Sequence, residues 1–127
     1  MATRIRNSEE VYLEDEIQDR LNHELSRWSL EDGSICRLYN TGGWRATLML
    51  VNAVGHLAEA AFHHPDIELS YASLKVKLNT HSAGGVTNKD FELAGKIEEI
   101  LLWRPGGETG ALKDMPDDPR FQYLIYD

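Results

Sequence analysis

A single cysteine, Cys36, cannot close an internal disulfide and offers no thiolate pair to a metal, so neither an oxidising compartment nor a thiolate cluster is indicated. We read it as a small core residue. No apolar run approaches the roughly 20 residues of a membrane helix. The opening Met1-Ala2-Thr3-Arg4-Ile5 leads into charged sequence instead of an apolar signal core. These absences point to a soluble, cytoplasmic protein with no membrane partner. Basic residues are in the minority, 13 Lys and Arg against 21 Asp and Glu, and the formal charge of -8 repels phosphate backbones, which disfavours direct nucleic-acid binding. The chain also lacks a phosphate loop, a dinucleotide fingerprint and a serine nucleophile elbow; Gly84-Gly85 alone signals only a turn.

What is present is a regular alternation of patterns. From Ser8 to Arg27, Leu13, Ile17, Leu21 and Leu25 recur every four residues among acids and amides, which predicts an amphipathic helix ending near Trp28. Trp28-Ser29-Leu30 and Ile35 to Tyr39 flank Asp32-Gly33 and predict a hairpin. After Gly42-Gly43, the residues Trp44, Leu48, Val51, Val54, Ala58 and Ala61 follow at helical spacing to Phe62, with Leu50, Leu57 and Phe62 broadening the stripe. Pro65 stops that helix. Ile67, Leu69, Tyr71 and then Leu74, Val76, Leu78 alternate with polar residues and predict a second hairpin joined near Ala72-Ser73. Thr87 begins a last helix, carried by Phe91, Ala94, Ile97 and Leu101 to about Leu102. The order α-β-β-α-β-β-α predicts a two-layer α+β domain over residues 1–102, with helices on one face of a four-stranded antiparallel sheet. Residues 103–127, rich in Gly, Pro and Asp, read as a linker and a docking or strand-like tail ending in Phe121, Tyr123, Leu124 and Ile125, with room for a protein partner.

Three of the five histidines fall where elements end: His63 and His64 after the long helix, and His81 past the strand ending at Leu78. Imidazoles around one cleft suit proton transfer near neutral pH. Glu59 lies one helical turn before His63 and is expected to orient it. Plainer roles suit the same residues. A histidine at a helix C-terminus stabilises the helix dipole, and three imidazoles can hold zinc, although adjacent helical residues point about 100° apart, unlike a shared-face zinc motif. Asp90 occupies the third position of a helix capped by Thr87, where a carboxylate is structural. His23 and His56 read as solvated surface residues.

Taken together, His63-His64-Pro65-Asp66, Tyr71, Thr80-His81, Gly84-Gly85 and Asp90-Phe91-Glu92-Leu93-Ala94 resemble the signature of the pterin-4a-carbinolamine dehydratases. The likeness covers Leu13 to Leu102, including Trp28-Ser29-Leu30-Glu31-Asp32-Gly33. It implies an α+β fold, a homodimer or homotetramer built through sheet edges and helices, and no cofactor. The implied substrate is the 4a-hydroxytetrahydropterin released by aromatic amino-acid hydroxylases, returned as quinonoid dihydropterin. Carried over position by position, the resemblance makes His63, His64 and His81 catalytic, with Glu59 beside them, Trp28 at the pocket wall, and Pro65, Asn79, Thr80 and Ser82 in contact with the pterin. Phe62 departs from the polar residue common before the paired histidines, and Ser82 from the acid common after His81. Some relatives of this fold act instead as a transcriptional dimerisation cofactor or as RuBisCO assembly factors, and the added tail keeps a binding or assembly role in view.

Overall fold

The computed structural model describes residues 7–106 and 109–127. Its elements in chain order are α1 (Glu14–Glu24), β1 (Ser29–Glu31), β2 (Ser34–Thr41), α2 (Trp44–Ala61), β3 (Asp66–Ser70), β4 (Ser73–Leu78) and α3 (Asn88–Leu101). A 3-10 turn at Pro119–Phe121 and the short strand β5 (Leu124–Ile125) follow. The sheet is antiparallel with strand order β1-β2-β4-β3. The α+β architecture read from the sequence is thus present.

Asp32 and Gly33, at φ 48° and 78°, form the left-handed pair that a two-residue hairpin turn demands, and they set Glu31 opposite Ser34. Alternation along the two central strands sends Ile35, Tyr39, Leu74, Val76 and Leu78 to the helix-covered face, all at most 1% exposed. Leu21 of α1, Leu50 and Val54 of α2, and Phe91, Ala94 and Ile97 of α3 complete that core. Each large aliphatic side chain buried there contributes about 2 kcal/mol.

Three expectations need correction. Helix α1 begins at Glu14, not Ser8: residues 7–13 run outside it, Glu16 Oε1 accepts from the Leu13 backbone N–H at 2.9 Å, and Leu13 is exposed. The buried face of α2 is Thr47, Leu50, Val54 and Ala58, whereas Trp44, Leu48 and Phe62 are exposed. Tyr71 lies in the β3–β4 turn and is also exposed.

The tail docks on its own domain. Strand β5 pairs with the far half of β2, Asn40 opposite Ile125 and Thr41 opposite Leu124, along the same edge that β1 covers at the other half. Gly42 N–H donates to the Tyr123 carbonyl at 2.8 Å. A Cβ at Gly42 would collide with the Gln122 carbonyl, so the close approach requires glycine. Buried Arg37 donates to both carboxylate oxygens of Asp127 at 2.9 Å and to Glu98 at 3.0 Å. Burial opposes the Arg37 charge, but its bonds to Asp127 and Glu98 raise its pKa on balance. Among the described residues, no helix is long and apolar enough to cross a membrane.

Candidate active site

Helix α2 ends abruptly. Phe62 adopts the left-handed conformation at φ 48°, at a cost of about 1–2 kcal/mol for a residue with a Cβ, and the His63 N–H closes back on the Ala58 carbonyl at 3.1 Å. Successive side chains therefore leave the helical spacing and part company. His63 turns inward toward α3, while His64 remains outside with the ring of Phe62 edge-on to it at 5.6 Å.

The inward histidine meets Asp90. His63 Nε2 lies 2.6 Å from Asp90 Oδ1, and the aspartate side chain is fully buried. Asp90 Oδ2 accepts from the Thr87 backbone N–H at 2.9 Å and from Thr80 Oγ1 at 2.8 Å. The Thr80 and Thr87 hydroxyls are themselves 2.7 Å apart. An ionised carboxylate is an acceptor only, already met by the Thr87 backbone N–H and by the Thr80 hydroxyl, so pairing it with His63 assigns the shared proton to Nε2. In that tautomer Nδ1 is the unprotonated nitrogen of the ring. The same carboxylate ties the end of β4, through Thr80, to the end of α2, through His63.

His81 follows Thr80 on a closed turn in which Thr80 N–H donates to Gly85 O at 2.8 Å and Ala83 and Gly84 N–H both donate to Thr80 O at 3.0 Å. Its imidazole is exposed, with no hydrogen-bond partner among the described residues. Glu59, expected beside His63, instead bonds His64 Nε2 at 2.9 Å, because the left-handed turn at Phe62 removes His63 from the four-residue helical spacing. Pro65 is half-buried next to His64.

Other expected site residues are placed differently. Trp28 is a core residue, 3% exposed, with its indole N–H aimed at Glu98 Oε1 at 3.4 Å. Trp28 is not among the side chains that line the cleft beside His63. Tyr39 donates to the same Glu98 oxygen at 2.6 Å, and burial followed by this bond drives its phenol pKa upward. Thr80 is 2% exposed and is spent on Asp90 and Thr87, leaving its hydroxyl no surface for a ligand. Asn79 donates to Ser34 Oγ at 2.7 Å, and Ser82 donates to Glu9 Oε2 at 2.9 Å.

A cleft of about 700 Å³ opens between the end of α2 and the start of α3. Leu57, Ala61, Phe62 and Leu93 supply apolar wall; His63, Lys89, Glu92 and Lys96 supply the polar part. This mixture of apolar lining and a few convergent polar groups is the usual character of a small-molecule site. A larger cleft, about 780 Å³, lies at the opposite end of α2 between Trp44, Tyr71 and Phe121 and contains no histidine. Among the described residues, no three His, Cys, Asp or Glu side chains converge to hold a metal ion.

The sequence model of the family described as "Pterin 4 alpha carbinolamine dehydratase" matches residues 10–100. The chain belongs to that family. A relative from Aquifex aeolicus, called "Putative pterin-4-alpha-carbinolamine dehydratase", is 42% identical over 88 residues, 69% of this chain and 88% of its own. One of the same name from a Picosynechococcus species is 41% identical over 100 residues, covering 79% of this chain and all of its own. Among solved structures, a transcriptional coactivator/pterin dehydratase from Brucella melitensis superposes with a TM-score of 0.66 at 28% identity, over 72% of this chain and 98% of that one. As a carbinolamine dehydratase family member, the chain carries its paired histidines, His81 and Asp90 inside the matched segment, whereas Glu9 and the tail from Leu101 onward lie outside it. The sequence places Asp90 near the site as a structural residue, and the structure adds that its other oxygen faces His63. Glu9, in a segment whose pattern predicts helix, meets Ser82 and Lys89 instead.

Proposed function

We propose that this protein dehydrates a 4a-hydroxytetrahydropterin to the quinonoid dihydropterin, recycling the cofactor of aromatic amino-acid hydroxylases by histidine acid-base catalysis without a cofactor of its own. The hydrogen bond between His63 and fully buried Asp90 carries this reading, because a buried carboxylate fixes the tautomer of an imidazole and stabilises the imidazolium that proton uptake produces. His63 Nδ1 takes the proton of the pterin ring nitrogen. His81, on the opposite side of the ring, protonates the departing 4a-hydroxyl. The carbon–oxygen bond breaks, water leaves, and the electron pair freed at nitrogen forms the ring carbon–nitrogen double bond; exchange with solvent restores both imidazoles. His64, steadied by Glu59, holds the pterin, and Pro65 and Ser82 border it.

We further assign the chemistry to residues 1–102, with 103–127 as a docked appendage, and place the protein in the cytoplasm as a homodimer or homotetramer. Strand β3 leaves one sheet edge open among the described residues, which is the feature that favours self-association. Light scattering should give a particle heavier than the 14.4 kDa chain. The deciding experiment is stopped-flow dehydration of 4a-hydroxytetrahydropterin generated in the cuvette, read against the spontaneous rate with and without added zinc. Acceleration by the purified protein supports the reading. A rate equal to background overturns it and leaves the binding or assembly role, to be sought by copurification.

A further inference from the structure

We propose that Glu9, which precedes the family's matched segment, is a positioning residue for the dehydration site, clamping the turn that carries His81 onto the first turn of α3. The inference rests on the function proposed above. Residues 7–12 lie as a strap across that turn. Tyr12 N–H donates to the Val86 carbonyl at 2.9 Å, the Tyr12 hydroxyl donates to Asn88 at 2.6 Å, and a Cβ on Gly85 would come within 2.7 Å of Val11 Cγ1. The strap delivers the Glu9 carboxylate to two donors at once, Ser82 Oγ at 2.9 Å and Lys89 Nζ. Among the described residues, the bond from Ser82 is the one side-chain hydrogen bond made by the tip of the turn, 81–84. The base of the turn is fixed separately, through Thr80 and Asp90.

Lys89 stands in the first turn of α3, where the helix dipole disfavours a cation, and it lines the cleft beside His63. Glu9 supplies the compensating charge. The bonds from Lys89 and Ser82, in that order, hold its carboxyl below the ordinary 4.5, with desolvation opposing the shift. Glu9 and Lys89 are both solvent-accessible, so the contact adds little to global stability and its effect belongs to the geometry of the site.

The test is Glu9→Gln in the full chain. We expect kcat for 4a-hydroxytetrahydropterin to fall about fivefold with KM and melting temperature nearly unchanged, in keeping with the loss of an exposed charge-assisted contact. Ser82→Ala should reproduce the loss in kcat, with a rise in KM of its own because Ser82 borders the pterin, and the double variant should have a kcat no lower than either single one. Hydrogen exchange of the Ala83 and Gly84 amides should quicken in Glu9→Gln. An unchanged kcat, additive losses in the double variant, or unaltered exchange at the turn would each overturn the assignment. Absence of any wild-type acceleration would instead sink the proposed function, so the two failures are distinguishable.

Discussion

Asp90 Oδ1 stands 2.6 Å from His63 Nε2 while Oδ2 of the same carboxylate closes the N-cap of α3, so one side chain serves the end of one helix and the beginning of another. Its two oxygens make separable demands. Asp90→Asn can keep an acceptor for the Thr87 N–H and Thr80 but offers His63 either the wrong group or the wrong tautomer. We expect kcat to drop by about 10²–10⁴ with the fold retained. Thr87→Ala, which removes the capping hydroxyl and spares the carboxylate, should cost about 1 kcal/mol in urea unfolding and far less in turnover. Equal catalytic losses in both variants would show that Asp90 acts only through the cap.

The three histidines should separate kinetically. His63→Ala and His81→Ala each remove a proton-transfer group and should lower kcat by about 10²–10⁴, with the double variant close to the spontaneous rate. His64→Ala should mainly raise KM, because His64 is exposed and paired with an exposed Glu59. A His64→Ala variant impaired only in kcat would reverse the assigned roles.

Docking of the tail can be challenged without deleting it. Gly42→Ala places a methyl group against the Gln122 carbonyl and should displace β5, stranding buried Arg37 with one carboxylate partner fewer. The expected loss is about 1–3 kcal/mol in denaturant unfolding. Asp127→Asn, which keeps the shape and removes the charge, should show a smaller loss of the same sign. Unchanged unfolding in both would mean that the contact with Arg37 contributes nothing.

Acid should loosen the same contact. The hydrogen bond from Arg37 holds the Asp127 carboxyl below its ordinary 3.8, with burial opposing the shift. A depressed folded pKa means that the group contributes stability above its unfolded value and loses it as pH falls through the folded value. Tail docking should therefore be flat from pH 8 down to about 5 and weaken below about 4. Tyr126, whose ring lies under Arg104, can report the change through its NMR signals. In Asp127→Asn this acid transition should shrink to the part carried by Asp114 and Asp118, whose bonds to Arg104 and Arg120 also lower their carboxyls.

Much of the fold was legible because local signals agreed with one another. Asp32-Gly33 announced a left-handed turn, Thr87 with Asp90 announced a cap, and the period of two from Ile67 to Leu78 announced paired strands. The errors share a physical cause. Ser8-Glu9-Glu10 looks like the acidic start of a helix, but this segment's partners lie in the turn near residue 82, a distance in sequence that periodicity does not register. Glu59 was assigned to the wrong histidine because the four-residue spacing rule assumes that the helix continues, and Phe62 ends it. Trp44 and Leu48 fit an apolar stripe, yet the sheet lies under Thr47, Leu50 and Val54, about one residue around the helix. The histidines were readable as a set of residue types, whereas the pairing of His63 with Asp90, 27 residues apart, depends on tertiary approach.

The hydrogen bond from Gly42 to the Tyr123 carbonyl gives the tail a reporter of its own. The Gly42 amide is shielded by the docked tail alone, while amides in the middle of β4 are shielded by neighbours on both sides of that strand. Residues 119–127 should therefore open as a local unit before the rest of the sheet does. Deuterium should enter at Gly42 at a rate set by the tail's own opening free energy, long before it reaches Val76, and the ratio of the two rates measures how much of the molecule's stability the appendage holds for itself.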